Sequence, residues 1–131
     1  EVRPMKGAWK DIPSEVVLEP PLADGLQGLD GFSHIMVVYW MHRVDEERRV
    51  AKATGAGGDG PPAGTFALRT PNRPNPIGVA MVRLIERRDN VLKVVGLDAV
   101  DGTPVLDIKP YSPRHDKVSE PTIPGWAERL W

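Results

Sequence analysis

The 131-residue chain carries 17 basic against 18 acidic side chains and no cysteine. That length suits one domain with a real core. The near-zero net charge argues against broad electrostatic binding of nucleic acid by a single copy, leaving a local patch or a groove formed in a dimer. The missing cysteine excludes disulfides, thiolate metal sites and a cysteine nucleophile, and fits a cytoplasmic protein. No apolar run approaches the roughly 18 to 20 residues of a membrane helix, and the opening Glu1 to Lys6 lacks the apolar stretch of a signal peptide.

Fourteen prolines and thirteen glycines make up about a fifth of the chain, against a usual value near 12%. So many breakers predict short strands and turns rather than long helices. Residues 1–13 show no period, with Met5 and Trp9 expected to pack on the body. A short strand is centred on Val16, Val17 and Leu18 and stops at Pro20 and Pro21. Leu22, Leu26 and Leu29 suggest one or two helical turns, weakened by Gly25 and Gly28. Ile35 to Met41, rich in β-branched and aromatic residues, reads as a buried strand that delivers His42 and Arg43 to its end. Residues 44–64 read as an exposed, flexible loop, charged first and then Gly- and Ala-rich.

Strands are expected at Thr65 to Leu68 and Val79 to Ile85, and between them lies a loop of unusual stiffness. Pro71, Pro74 and Pro76 fix φ, remove donors and hold their predecessors extended. The polar groups of Arg69, Asn72, Arg73 and Asn75 therefore project from a backbone that loses little entropy on binding. Arg87 to Asn90 reads as a hairpin turn. Val91 to Leu97 reads as a strand with Leu92 and Val94 on one face, Asp98 to Thr103 as a polar turn closed by Gly102, and Val105 to Ile108 as a strand ended by Pro110. The tail, 112–131, is irregular apart from a short helix at Trp126 to Leu130. Five or six strands with little helix predict an all-β fold, a small antiparallel barrel or sandwich with short peripheral helices, in one domain with its core at about 15–111.

Three clusters carry chemistry: His42-Arg43, Arg69 to Asn75, and the acidic stretch with Asp98, Asp101 and Asp107. All lie at strand ends or in adjacent turns, which a barrel gathers at one mouth. Carboxylates accept paired hydrogen bonds from ribose hydroxyls or an ammonium group, although Asp101-Gly102 is also a good turn by itself. Asp107 lies on the face opposite Leu106 and Ile108, where Lys109 is its natural partner. His34, His42 and His115 lack ligand spacing, so no metal is expected. Neither a nucleophile elbow nor a Gly-rich phosphate loop is present. The residues alone support a small β domain with a polar ligand site.

Three motifs carry a resemblance: Phe32-Ser-His-Ile-Met-Val-Val-Tyr-Trp-Met-His-Arg43, Arg69-Thr-Pro-Asn-Arg-Pro-Asn-Pro-Ile-Gly78, and Gly96-Leu-Asp-Ala-Val-Asp-Gly-Thr-Pro-Val-Leu-Asp-Ile-Lys-Pro-Tyr111. Over about Glu15 to Tyr111 the chain resembles the TsaA-like (TrmO) family of S-adenosylmethionine-dependent methyltransferases, which are built on a β-barrel. The resemblance implies methylation of the exocyclic nitrogen of threonylcarbamoyl-adenosine beside the tRNA anticodon, by a homodimer. It implies that His42, Arg43, Arg69, Val79 and the run Asp98, Ala99, Val100 and Asp101 hold S-adenosylmethionine. Asn72, Arg73, Asn75 and Lys109 are expected on the substrate side, with His42 or Asp101 as a base. Family members usually open with a strand and a Pro-Arg-Gln segment that touches the cofactor; here Met5 to Lys10 stands in that region without the motif. A methyltransferase acting on a small molecule and a non-catalytic cofactor-binding module are the alternative readings.

Overall fold

The computed structural model describes residues 8–51, 53–55 and 61–130; Met5 and the Trp9 side chain, expected on the body, lie outside the described set. Five strands form one antiparallel sheet: β1 (Pro13–Val17), β2 (His34–Trp40), β5 (Ile77–Arg88), β6 (Val91–Val95) and β7 (Val105–Pro110), in the order β1-β6-β5-β2-β7. A separate ribbon pairs β3 (Ala53–Gly55) with β4 (Pro62–Gly64). Among the described residues β1 and β7 remain the two edges of the sheet, so it is open. The all-β reading holds, and the expected closed barrel is not what the sheet forms.

Alternation along the strands divides the sheet into two faces. Ile35, Val37 and Tyr39 of β2 are buried, as are Val82 of β5, Leu92 and Val94 of β6 and Val16 of β1. Leu26, from the 3-10 turns Pro20–Leu26, covers this face. Each such side chain, fully buried, contributes on the order of 1.5–3 kcal/mol. The other face is half open: Ile77, Val79 and Met81 of β5 are exposed beside the half-buried Met36, Val38 and Trp40 of β2.

Several expectations shift by local chemistry. β5 starts at Ile77, directly after Pro76, two residues earlier than expected, with Ile77 in register with Trp40. It runs on to Arg88 through a register shift between Leu84 and Glu86, and Asp89, at φ 54°, opens the turn into β6. Thr65 to Leu68 is not a strand: Thr65–Ala67 forms a 3-10 turn in which the Leu68 N–H reaches the Thr65 carbonyl. Part of the supposed flexible loop is the β3–β4 ribbon, which buries Ala63; residues 52 and 56–60 of that loop lie outside the described set. In the tail, Pro113–Asp116 makes one α-helical turn, with Pro113 at its first position and the Asp116 carboxylate accepting from the Ser112 N–H at 2.8 Å. The terminal helix contracts to a 3-10 turn, Ala127–Arg129.

Leu92 lies fully buried at the centre of β6. Leu92→Ala is expected to cost about 2–5 kcal/mol, whereas Leu106→Ala on the exposed edge strand β7 should change stability by about 0.5 kcal/mol or less. Urea unfolding of the two variants, with unchanged m values, checks the contrast.

Candidate functional site

The site is assembled by the end of β2. Because β5 and β7 both run antiparallel to β2, the segment before β5 and the segment before β7 both arrive beside its last residues. Backbone bonds fasten each of them: the Met41 N–H donates to the Pro76 carbonyl at 2.7 Å, and the Trp40 N–H donates to the Pro104 carbonyl at 2.9 Å. His42 and Arg43 follow immediately and are exposed. The segments that carry His42-Arg43, the proline loop and the Asp98–Asp101 turn therefore arrive at one end of the sheet, while Asp107 lies further along β7 opposite Val38.

The proline loop holds its shape from within. Arg73 Nη1 donates to the carbonyls of Leu68 and Thr70, at 3.0 and 3.2 Å. The Asn72 N–H reaches Thr70 Oγ1 at 3.3 Å, and the Ile77 N–H reaches the Asn75 carbonyl at 2.7 Å. Pro76 is fully buried. Much of the Arg73 fork thus serves the loop, while the side chains of Arg69, Asn72 and Asn75 lie on its exposed surface. Gly78 ends the loop under the Tyr39 ring: a Cβ there would fall within 2.8 Å of the Tyr39 hydroxyl and still closer to ring carbons. Only glycine fits that approach.

The acidic turn is closed just as tightly. The Thr103 hydroxyl donates to the Val100 carbonyl at 2.6 Å and its N–H to the same oxygen at 3.2 Å, with Gly102 at φ 78° supplying the left-handed residue. Asp98, Val100 and Asp101 are exposed, whereas Ala99 packs against the core. The Tyr39 hydroxyl donates to the Asp98 carbonyl at 2.8 Å. Burial first, and then the nearby Asp98 charge, push the Tyr39 phenol above its ordinary value.

Val79 faces the open side of the sheet, opposite Val38 and 55% exposed. Lys109 is set back: it pairs across to Met36, four residues or roughly 13 Å along β2 from Trp40. Its ammonium bonds Asp107 at 2.8 Å, as the shared face suggests, and that contact holds the Asp107 carboxyl below its usual range. Among the described residues no three His, Asp or Glu side chains converge as metal ligands, and no helix is long and apolar enough to cross a membrane.

Sequence reasoning missed two parts of this arrangement. The charged run near 44–50 is more than a solvated loop. It forms the 3-10 turn Glu46–Arg48, and Arg49 lays its guanidinium 5.3 Å from the centroid of Trp40 while its Nε donates to the Val44 carbonyl. Tyr39 was the other omission. A tyrosine at an inward position of a buried strand requires a partner for its hydroxyl, and that requirement was the signal available.

The fold is thus a small open antiparallel β domain that brings an arginine-bearing proline loop and an aspartate turn to one strand end. The chain belongs to the family of tRNA-methyltransferase O N-terminal domains, whose model matches residues 3–117. It is 44% identical over 125 residues to a probable S-adenosyl-L-methionine-binding protein of Archaeoglobus fulgidus, covering 95% of this chain and 33% of that protein. It is also 44% identical over 115 residues to the tRNA (adenine(37)-N6)-methyltransferase of Escherichia coli, covering 82% of this chain and 48% of the enzyme. The crystal structure of TrmO from Pseudomonas aeruginosa superposes with a TM-score of 0.69 at 33% identity, over 87% of this chain and 48% of that one. The chain thus spans between a third and a half of these three relatives.

Two outcomes follow from the Tyr39 contacts. Gly78→Ala is expected to displace the ring and cost about 1–3 kcal/mol in chemical denaturation. Because the native phenol holds its proton to higher pH than the unfolded one, the folded state binds more protons above pH about 10, so stability falls there as pH rises. Tyr39→Phe should remove that share of the alkaline loss, measured as a shallower decline of the unfolding midpoint above pH about 10.

Proposed function

We propose that this chain is the S-adenosylmethionine-binding domain of a tRNA methyltransferase. It methylates the exocyclic nitrogen of threonylcarbamoyl-adenosine next to the anticodon, and it works as a homodimer. The observation that carries this reading is the meeting of His42-Arg43, the proline loop and the Asp98–Asp101 turn at the end of β2. Membership of the family and the names of the relatives support it, together with the exposed apolar residues Ile77 and Val79 beside the site.

The residues present suit the cofactor. The exposed Asp98 and Asp101 carboxylates accept from ribose hydroxyls or an ammonium group, Arg69 offers a fork for a carboxylate, and Val79 gives an apolar surface for a ring. When bound, S-adenosylmethionine supplies a methyl group on a positively charged sulfur. The chain's own work is then alignment, worth several kcal/mol where the approach is well oriented. Stiff backbone in the proline loop and a closed turn opposite hold the binding groups without large ordering costs on association. Asn72 and Asn75 lie on the same loop surface and serve the acceptor, while Arg73 chiefly shapes the loop. A carbamoylated amine is a weak nucleophile, so a base is required; His42 or Asp101, both exposed at the site, takes that proton.

The test is incubation of the chain with labelled S-adenosylmethionine and total tRNA, followed by nucleoside mass analysis. A labelled, methylated threonylcarbamoyl-adenosine is expected. Label on a free nucleoside or another metabolite and none on tRNA would replace the RNA substrate with a small molecule, and cofactor binding without transfer would make the domain a binding module. Arg69→Ala should weaken cofactor binding about 10- to 100-fold, the loss of a charge-assisted pair; calorimetry with unchanged affinity would remove the clamp role. Of His42→Gln and Asp101→Asn, the variant lacking the base should lose about 10²- to 10⁴-fold in kcat.

A further inference from the structure

We infer that Tyr39 is a positioning residue that sets the spacing between the two walls of the cofactor site, the proline loop and the Asp98–Asp101 turn. The inference rests on the reading of that site as the cofactor pocket. Tyr39 belongs to the core rather than to the ligand surface: it is 8% exposed, and its strand register places it between Gly78 on β5 and Val105 on β7. Its ring occupies the space a Cβ of residue 78 would need, so it touches the last residue of the stiff loop. Its hydroxyl, 2.8 Å from the Asp98 carbonyl, touches the first residue of the acidic turn across 59 positions of sequence. One rigid side chain therefore spans both walls.

The turn it holds is an arc pinned at two ends. At the far end the Trp40 N–H grips the Pro104 carbonyl, and at the near end the Tyr39 hydroxyl grips Asp98. Between the pins the arc packs Ala99 on the core, closes by the Thr103 contacts to Val100 and carries the exposed Asp98 and Asp101 side chains. The phenol is protonated, and so a donor, through the neutral range, as any tyrosine is, and burial extends that state to higher pH. Removing the hydroxyl leaves the ring packed on Gly78 but frees the near pin, so the arc hinges at Pro104 while the sheet stays intact. The carboxylates then meet the cofactor from a distribution of positions. The loss falls on cofactor binding, because the tRNA-facing surface of the proline loop is held by Arg73 and Met41 instead.

The experiment compares the chain with Tyr39→Phe. By calorimetry and steady-state kinetics, the variant should bind S-adenosylmethionine about 5- to 10-fold more weakly, in line with one lost hydrogen bond. The KM for the cofactor should rise in step, with KM for tRNA and kcat at saturating cofactor within about twofold. Hydrogen exchange on the cofactor-free chain should show the Thr103 amide exchanging at least several-fold faster, while amides of the β5–β6 pair are unchanged. Equal cofactor affinity and equal Thr103 exchange in the two proteins would overturn the inference, as would a fall in kcat with affinity untouched. If the unaltered chain gives no cofactor binding, the reading of the site fails and the Tyr39 role falls with it. Binding by the unaltered chain with an indifferent variant removes the Tyr39 role alone.

Discussion

β2 has a neighbour on each side, and both run against it. That arrangement decides where the rest of the molecule can place its polar groups. The end of β2 is the start of β5 and of β7, so whatever precedes those two strands must arrive at one spot. The backbone N–H groups of Trp40 and Met41, at the limit of the strand, need partners if they are not to be buried unpaired, and they take them from Pro104 and Pro76. The same two bonds that satisfy the strand end thereby bind both incoming segments. A site made this way needs no helix, metal or disulfide to gather it.

Proline supplies stiffness but also creates a shortage. Within Arg69 to Gly78 three backbone donors are missing, while every carbonyl remains. Part of the demand is met from within, by Arg73 to the Thr70 carbonyl and by the Ile77 N–H to Asn75, and part from β2, by Met41 to Pro76; Arg73 also reaches the Leu68 carbonyl just before the loop. A side chain that from sequence looks like an exposed ligand for an anion is thus partly internal structure. Arg69 and Arg73 are four residues apart in an apparently similar setting, and the fold gives them different work. What separates them is whether a carbonyl lies within reach of the fork, which depends on the path of the loop and not on composition.

Much of the fold was legible in the chain. The β-branched and aromatic run Ile35 to Met41 identified a buried strand by its length and composition, and the alternation of Leu92 and Val94 identified another, because a period of two is what a strand with one buried face leaves in a sequence. Which residues of the first run face inward was not legible, since all seven are apolar. The turn at Asp101-Gly102 and the pairing of Asp107 with Lys109 were legible because both depend on residues close together in the chain. Thr65 to Leu68 was not: its length and composition suit a strand, but it closes a 3-10 turn on itself, the Leu68 N–H bonding the Thr65 carbonyl directly after the β3–β4 ribbon. The helical turn at Pro113 has proline at its first position and the Asp116 carboxylate on the Ser112 N–H, and was lost among the tail's prolines. Closure of the sheet depends on whether two edges meet, and no local pattern encodes that. The site's groups were identifiable as residues, whereas their meeting depended on strand order, which propensity does not carry.

Charge sets the terms on which such a site can meet RNA. With 17 basic and 18 acidic side chains, these residues cannot draw a polyanion through a broad field, and counterion release from phosphates cannot supply most of the affinity. Recognition on the proposed reading must then come from a few placed groups: Arg43 and Arg69 as local cations, the asparagines of the proline loop as paired donors and acceptors, and the apolar strip of Ile77 and Val79 for an unstacked base. Single-stranded loops suit this economy, since their bases can be splayed onto such a surface and read along their edges. Binding of that kind discriminates by geometry and depends only shallowly on salt. That in turn requires the groups to be held in fixed relation before the RNA arrives, which the prolines, the Val100–Thr103 turn and the bonds at the end of β2 provide.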